Sequence, residues 1–137
     1  MDDIMLSKVA SLERCVERVR EEYQACGGDI EHDILRQDSI VLNLERACEQ
    51  CFDMGQRLIR QKKLGLSNEY REIFVILARS EVISGELSSR LQRMVGFRNV
   101  AIHEYQELDM VRVKHVIEQG CEDLLQFSKI MLHAVTA

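Results

Sequence analysis

Neither proline nor tryptophan occurs anywhere in this chain, and aromatic residues make up only 5% of it. Without proline nothing removes a backbone donor or clashes with the preceding turn, so helices can run long and unbroken. Scarce aromatics and few clusters of β-branched residues argue against a sandwich or barrel. No apolar run approaches the length needed to cross a membrane. An excess of positive charge is missing as well: 18 Lys and Arg against 23 Asp and Glu give a formal net charge of −5. Proteins that bind nucleic acid non-specifically carry a basic surface, because phosphate contacts dominate that affinity. Any such contact must be local here. Arg57, Arg60, Lys62 and Lys63 form one basic cluster, read as a solvated helix face; Arg90, Arg93 and Arg98 form another.

Glycine-rich phosphate loops are also missing. Neither GxGxxG nor GxxxxGK appears, which excludes those two routes to nucleotide binding. Five cysteines, an odd number, do not suggest a disulfide framework. Cys48-x-x-Cys51 lies inside an apolar helical stripe with no partner pair elsewhere, so its thiols read as small buried hydrophobes rather than as a metal or redox site. His32, His115 and His133 have no ligand spacing. The expectation is no metal and no cofactor. The segment from Met1 to Ile4 leads straight into an amphipathic pattern and not into a signal peptide, so a reducing cytoplasm is the expected setting.

What the chain does have is helical period. Its 137 residues, 46% hydrophobic and 30% charged, suit one domain spanning 1–137 with a sizeable core. Met5, Val9, Leu12, Val16, Val19 and Tyr23 make one apolar stripe, ended by Gly27-Gly28, where a left-handed residue can stop a helix. Asp29 to Gln37 is more polar and fits a loop, a short helix or a lead-in. Val41, Leu44, Cys48, Cys51, Gly55 and Leu58 form a second stripe, widened by Ile40, Ala47 and Met54. That helix should be central, buried on more than one side, and should end near Gly65. Ser67 is the expected cap of a short third helix through Ile73, Phe74, Ile76 and Leu77, with Glu69 in its first turn. Ser84 opens a helix through Leu87, Leu91, Met94 and Val95 towards His103. Asp109 caps the last, which carries Val113, Val116, Ile117, Leu124, Phe127 and Met131. The fold class is all-α, an antiparallel bundle of four to five helices.

The stretch that can carry chemistry is Gly96-Phe97-Arg98-Asn99-Val100-Ala101-Ile102-His103-Glu104-Tyr105. An arginine close to the core pattern is costly unless its charge is paired or faces a cleft. Asn99 and His103, four apart, share a helix face. Arg98 and His103, five apart, point about 140° away from each other on an ideal helix. If both serve one site, the helix must end or distort near His103. Histidine can pass protons near neutral pH. Arginine can hold a phosphate with paired donors and stabilise charge as it develops. Asparagine can orient either. With RNA, the ribose 2′-hydroxyl supplies the nucleophile. Gly96 is read as allowing close helix packing, and Phe97 as core or dimer contact.

This stretch resembles the Arg-x(4–6)-His signature of HEPN domains, and its Arg-x4-His-x-Tyr form resembles the HepT branch. The stretches Asp38-Ser39-Ile40-Val41-Leu42-Asn43-Leu44 and Glu69-Tyr70-Arg71-Glu72-Ile73-Phe74, and Leu91 with Met94-Val95-Gly96, are also similar to that family. The likeness runs from about Leu35 to Phe127 and is fairly specific once helical context is added to the motif. It implies a homodimer with paired motifs in a shared cleft and metal-independent cleavage of RNA, transfer RNA among the substrates. Arg98, Asn99 and His103 then match the catalytic motif. It also implies an MntA-type nucleotidyltransferase antitoxin that neutralises the toxin by moving AMP from ATP onto the motif tyrosine, here Tyr105. Glu104 departs from what an RNA-facing position would favour. The alternative within the same fold is a catalytically silent subunit that docks to the nucleotidyltransferase; intact Arg98 and His103 favour the enzyme.

Overall fold

The structure is a computed structural model that describes residues 2–136. The first helix, α1 (Asp3–Ala25), is capped by Asp2, whose carboxylate accepts from the Met5 N–H at 3.0 Å. Its stripe from Met5 to Val19 is buried. It stops where Gly27 and Gly28 take φ of +62° and +82°, angles that a β-carbon disfavours. The polar stretch that follows becomes a 3₁₀ turn (Ile30–His32) and the first turn of α2 (Ile34–Lys62), capped by Asp33. The buried Gln37 side chain ties the two together by donating to the Ile30 carbonyl at 3.0 Å.

Helix α2 is the central element and packs against α1, α3 (Tyr70–Arg79), α4 (Gly85–His103) and α6 (Cys121–Val135). Gly55 permits its closest approach: a β-carbon there would lie 2.5 Å from Ile73 Cγ2 on α3. The helix ends two residues earlier than Gly65 suggests, because Lys63 itself turns left-handed (φ 53°) and the Leu64 N–H closes back on the Ile59 carbonyl at 3.0 Å. The expected cap of α3 is also corrected. Residues 68 and 69 are bends, so the Ser67 hydroxyl has no first-turn N–H to accept, and Glu69 occupies the cap position without a side-chain bond. The start of α3 is fixed instead by Tyr70, whose ring stacks on Phe52 of α2 at 4.6 Å.

Ser84 caps α4 as expected, accepting from the Leu87 N–H at 3.1 Å. One turn on, the buried Ser88 hydroxyl donates to the Phe74 carbonyl at 2.9 Å and locks α4 to α3. After a 3₁₀ turn (Tyr105–Glu107), Asp109 caps α5 (Met110–His115), which continues through a π turn (Val116–Gly120) into α6 with the backbone right-handed helical throughout. Met94 of α4 packs against the π turn: a β-carbon on Gly120 would be 3.1 Å from Met94 Sδ. Phe52, Phe74, Phe97 and Phe127 are all buried in one core, three of them in edge-to-face contact. Truncating a phenylalanine in such a core to alanine costs ~3–5 kcal/mol. With α5 and α6 as one rod, the molecule is a five-helix bundle, and α4 packs on α3 and α2 with its C-terminal end carrying the motif.

Candidate active site

Arg98 stands on the inner side of α4 and reaches across to α2. Its Nη2 donates to Glu49 Oε1 at 3.1 Å, and only 15% of its side chain is exposed. The guanidinium carbon lies 5.2 Å from the Tyr70 ring centre and 6.0 Å from that of Phe52. A cation over aromatic faces is attracted by the ring quadrupole, and desolvation strengthens the effect. Arg98 Nε is buried without a hydrogen-bond partner among the described residues. A buried N–H that is left unpaired costs free energy. The group is therefore held in place by flat rings and one acid, with donor capacity unused.

Asn99 and His103 occupy a different side of α4. Both are exposed, and neither makes a hydrogen bond or ion pair with the described residues. Asn99 borders an open cleft of about 520 Å³ with Gln56, Asn68, Tyr70 and Arg71. His103 is the last helical residue; the Glu104 N–H closes the helix on the Val100 carbonyl at 2.8 Å. The helix thus ends at the histidine without distorting before it. It lies five positions beyond Arg98 on a regular helix, so the two side chains diverge by about 140° within one chain.

Tyr105 opens the 3₁₀ turn after α4. Its half-buried ring packs on the core edge, and its hydroxyl donates to Asp38 Oδ1 on α2 at 2.6 Å. Burial and the Asp38 and Glu45 carboxylates push ionisation of the phenol well above its ordinary range. Glu45 itself is shifted upward by burial and by Glu49 beside it. The α2 face under the motif is therefore acidic, and Arg98 is the cation that answers it. Two contacts, Arg98 to Glu49 and Tyr105 to Asp38, bind the end of α4 antiparallel along the first half of α2. On the same two segments the apolar Leu42 and Ile102 stay exposed.

Tyr70, Glu49 and Asp38 were not legible as site residues in the sequence. Each meets the motif only through tertiary contact, although Asp38 and Tyr70 fall in the stretches that carry the family likeness. Gly96 gives room to a side chain: a β-carbon there would stand 2.9 Å from Arg71 Nη2. Of the second basic cluster, Arg90 pairs with Asp123 and Arg98 with Glu49. Cys48 and Cys51 are buried free thiols, both pushed up by burial. Cys121 is raised to about 12 by the same cause. None is a thiolate at neutral pH. Among the described residues no group of three or more His, Cys, Asp or Glu could hold a metal ion, and no helix is long and apolar enough to cross a membrane.

The chain is similar to known proteins over nearly its whole length. The mRNA nuclease HepT of Shewanella oneidensis is 40% identical over 131 residues, which cover 96% of this chain and 98% of that protein. A solved structure of a tri-AMPylated Shewanella oneidensis HEPN toxin in complex with MNT antitoxin superposes with a TM-score of 0.91 at 39% identity, covering 97% of this chain and 99% of the other. YutE, a cytosolic protein of unknown function from Bacillus subtilis, is 16% identical with a TM-score of 0.69 over 90% of this chain and 87% of its own; it shares the fold alone. The family model described as ribonuclease HepT-like matches residues 12–131. An all-helical bundle that presents Arg98, His103 and Tyr105 at the end of its fourth helix thus belongs to the HepT-like ribonuclease family.

Proposed function

We propose that this chain is the toxin of a toxin–antitoxin pair, a metal-independent endoribonuclease whose active site is shared between two copies. The observation that carries the reading is the divergence of Arg98 and His103 on one regular helix. One copy cannot aim both at the same phosphate, so each site takes Arg98 from one copy and His103 from the other. The exposed Leu42 and Ile102, flanked by the two contacts that bind α4 to α2, supply an apolar face for a two-fold dimer. The substrate is RNA, as the mRNA nuclease name of the Shewanella relative suggests; transfer RNA stays within the same chemistry.

His103 exchanges the proton between the 2′-hydroxyl and the leaving 5′-oxygen. Arg98, freed from Glu49, turns its unused donors to the phosphate as charge develops there. Asn99 orients the phosphate or the imidazole. The 2′-oxygen attacks phosphorus, the P–O5′ bond breaks, and the products carry a 2′,3′-cyclic phosphate and a 5′-hydroxyl. Neutralisation is assigned to an MntA-type nucleotidyltransferase, the class of partner bound by the AMPylated Shewanella toxin. AMP on Tyr105 would set a phosphodiester and a nucleoside beside His103, filling the substrate's place and competing for Arg98. Product analysis tests the reading: cyclic phosphate and 5′-hydroxyl ends, undiminished by chelator, are expected. A 5′-phosphate product or full dependence on magnesium contradicts it.

A further inference from the structure

The hydrogen bond from Tyr105 to Asp38 bears on the modification itself, given the reading of Tyr105 as the residue that accepts AMP. A phenol is a weak nucleophile until its proton leaves. The proton can go before the attack or during it. The first route is closed here, because burial and the nearby carboxylates of Asp38 and Glu45 disfavour a free phenolate. The proton must then leave as the new bond forms, and that needs a base within hydrogen-bond reach. Among the described residues, the acceptor of the Tyr105 hydroxyl is Asp38 Oδ1 at 2.6 Å. Asp38 is exposed in the first turns of α2 and makes no other hydrogen bond or ion pair with the described residues. Its carboxylate is aimed at one hydroxyl and committed to nothing else. The pair lies at the surface, open to an incoming partner.

We propose that Asp38 is the general base for AMP transfer onto Tyr105, supplied by the toxin to the reaction that silences it. Tyr105 Oη attacks the α-phosphorus of a nucleoside triphosphate, and the Oη–P bond forms. The bond from the α-phosphorus to the α–β bridging oxygen breaks, and pyrophosphate leaves with the electron pair. The phenolic proton passes to Asp38 Oδ1 and from there to water. The modified chain thus contributes both nucleophile and base, and the antitoxin contributes the positioned nucleotide. A tyrosine elsewhere on the surface, without such an acceptor, would be a poor substrate for the same transferase.

The test uses the full-length chain, its cognate nucleotidyltransferase and ATP, with AMP incorporation followed by intact mass. Asp38→Asn keeps an acceptor oxygen for the hydroxyl but cannot take its proton. The expected result is a fall in kcat for transfer of ~10²–10⁴-fold, with KM for ATP and for the toxin within a few-fold of wild type and the thermal midpoint unmoved. Asp38→Glu restores part of the rate. A wild-type kcat in Asp38→Asn, with AMP mapped to Tyr105, overturns the base assignment and leaves the modification site standing. A raised KM for the toxin with kcat unchanged overturns it too, making Asp38 a docking contact. AMP mapped to another residue of the wild-type chain removes the reading on which the proposal rests.

Discussion

The two ends of the motif on α4 live in opposite environments. Arg98 is nearly buried, pressed over Tyr70 and Phe52 and paired with Glu49. His103, five residues on, is exposed at the helix terminus. The arginine end is built like a core and the histidine end like a surface. Burial gives Arg98 a fixed direction and a poorly solvated charge, which makes it strong when a phosphate arrives. Exposure gives His103 rapid proton exchange with water and leaves it free to serve a neighbouring copy. A substitution at either end should abolish cleavage, but only one should disturb the fold.

The largest effect follows directly. His103→Ala should lower RNA cleavage by ~10²–10⁴-fold with no change in thermal midpoint. Arg98→Ala should cost ~10²–10³-fold in rate, as for loss of one donor to developing charge. It should also destabilise the fold by ~0.5–2 kcal/mol, because the rings lose their cation. Equal stability losses in the two variants, read by calorimetry, would erase the contrast between the ends.

A smaller effect isolates the aromatic platform. Tyr70→Leu should reduce cleavage by roughly 3- to 30-fold, the equivalent of ~0.5–2 kcal/mol for a cation on a ring. Tyr70→Phe keeps the ring and should stay near wild type. If Tyr70→Phe is as impaired as Tyr70→Leu, the hydroxyl matters and the platform argument fails.

The smallest effect concerns the acidic face of α2. Glu45 is raised in the folded state, first by burial and then by Glu49. Its ionised form is therefore penalised in the fold at neutral pH, and that penalty fades as pH falls through the raised folded value and is gone below the ordinary carboxylate value of 4.5. Glu45→Gln should melt slightly higher than wild type at pH 7 to 8, with the difference shrinking towards pH 4. A difference that grows on acidification would reverse the sign and contradict the account.

The helices and the motif could be read from the sequence because both are local. Ser84 and Asp109 cap helices where their spacing placed them, and the Met5-to-Val19 and Val113-to-Met131 stripes are buried as their period required. Helix α4 does end at His103, as a site within one chain would need, but it is regular up to that residue and leaves Arg98 and His103 diverging. What could not be read depends on distance in sequence. Arg98 meets Glu49 across 49 residues and Tyr105 meets Asp38 across 67. Ser67 looked like a cap because serine is a good one, yet α3 begins where Tyr70 finds Phe52. The π turn before α6 arises where Met94 presses on Gly120, a tertiary fact with no signature in the local pattern.

The central claim, that one site draws on two copies, is tested most directly by mixing dead chains. Arg98→Ala and His103→Ala variants, each inactive alone, are combined in equal amounts and allowed to exchange subunits. Half the dimers are then mixed, and each mixed dimer holds one intact site of two, so cleavage should recover to about a quarter of wild type for a two-fold dimer. If the mixture, with exchange verified by native mass spectrometry, stays as inactive as its parts, both groups act within one chain and the account is wrong.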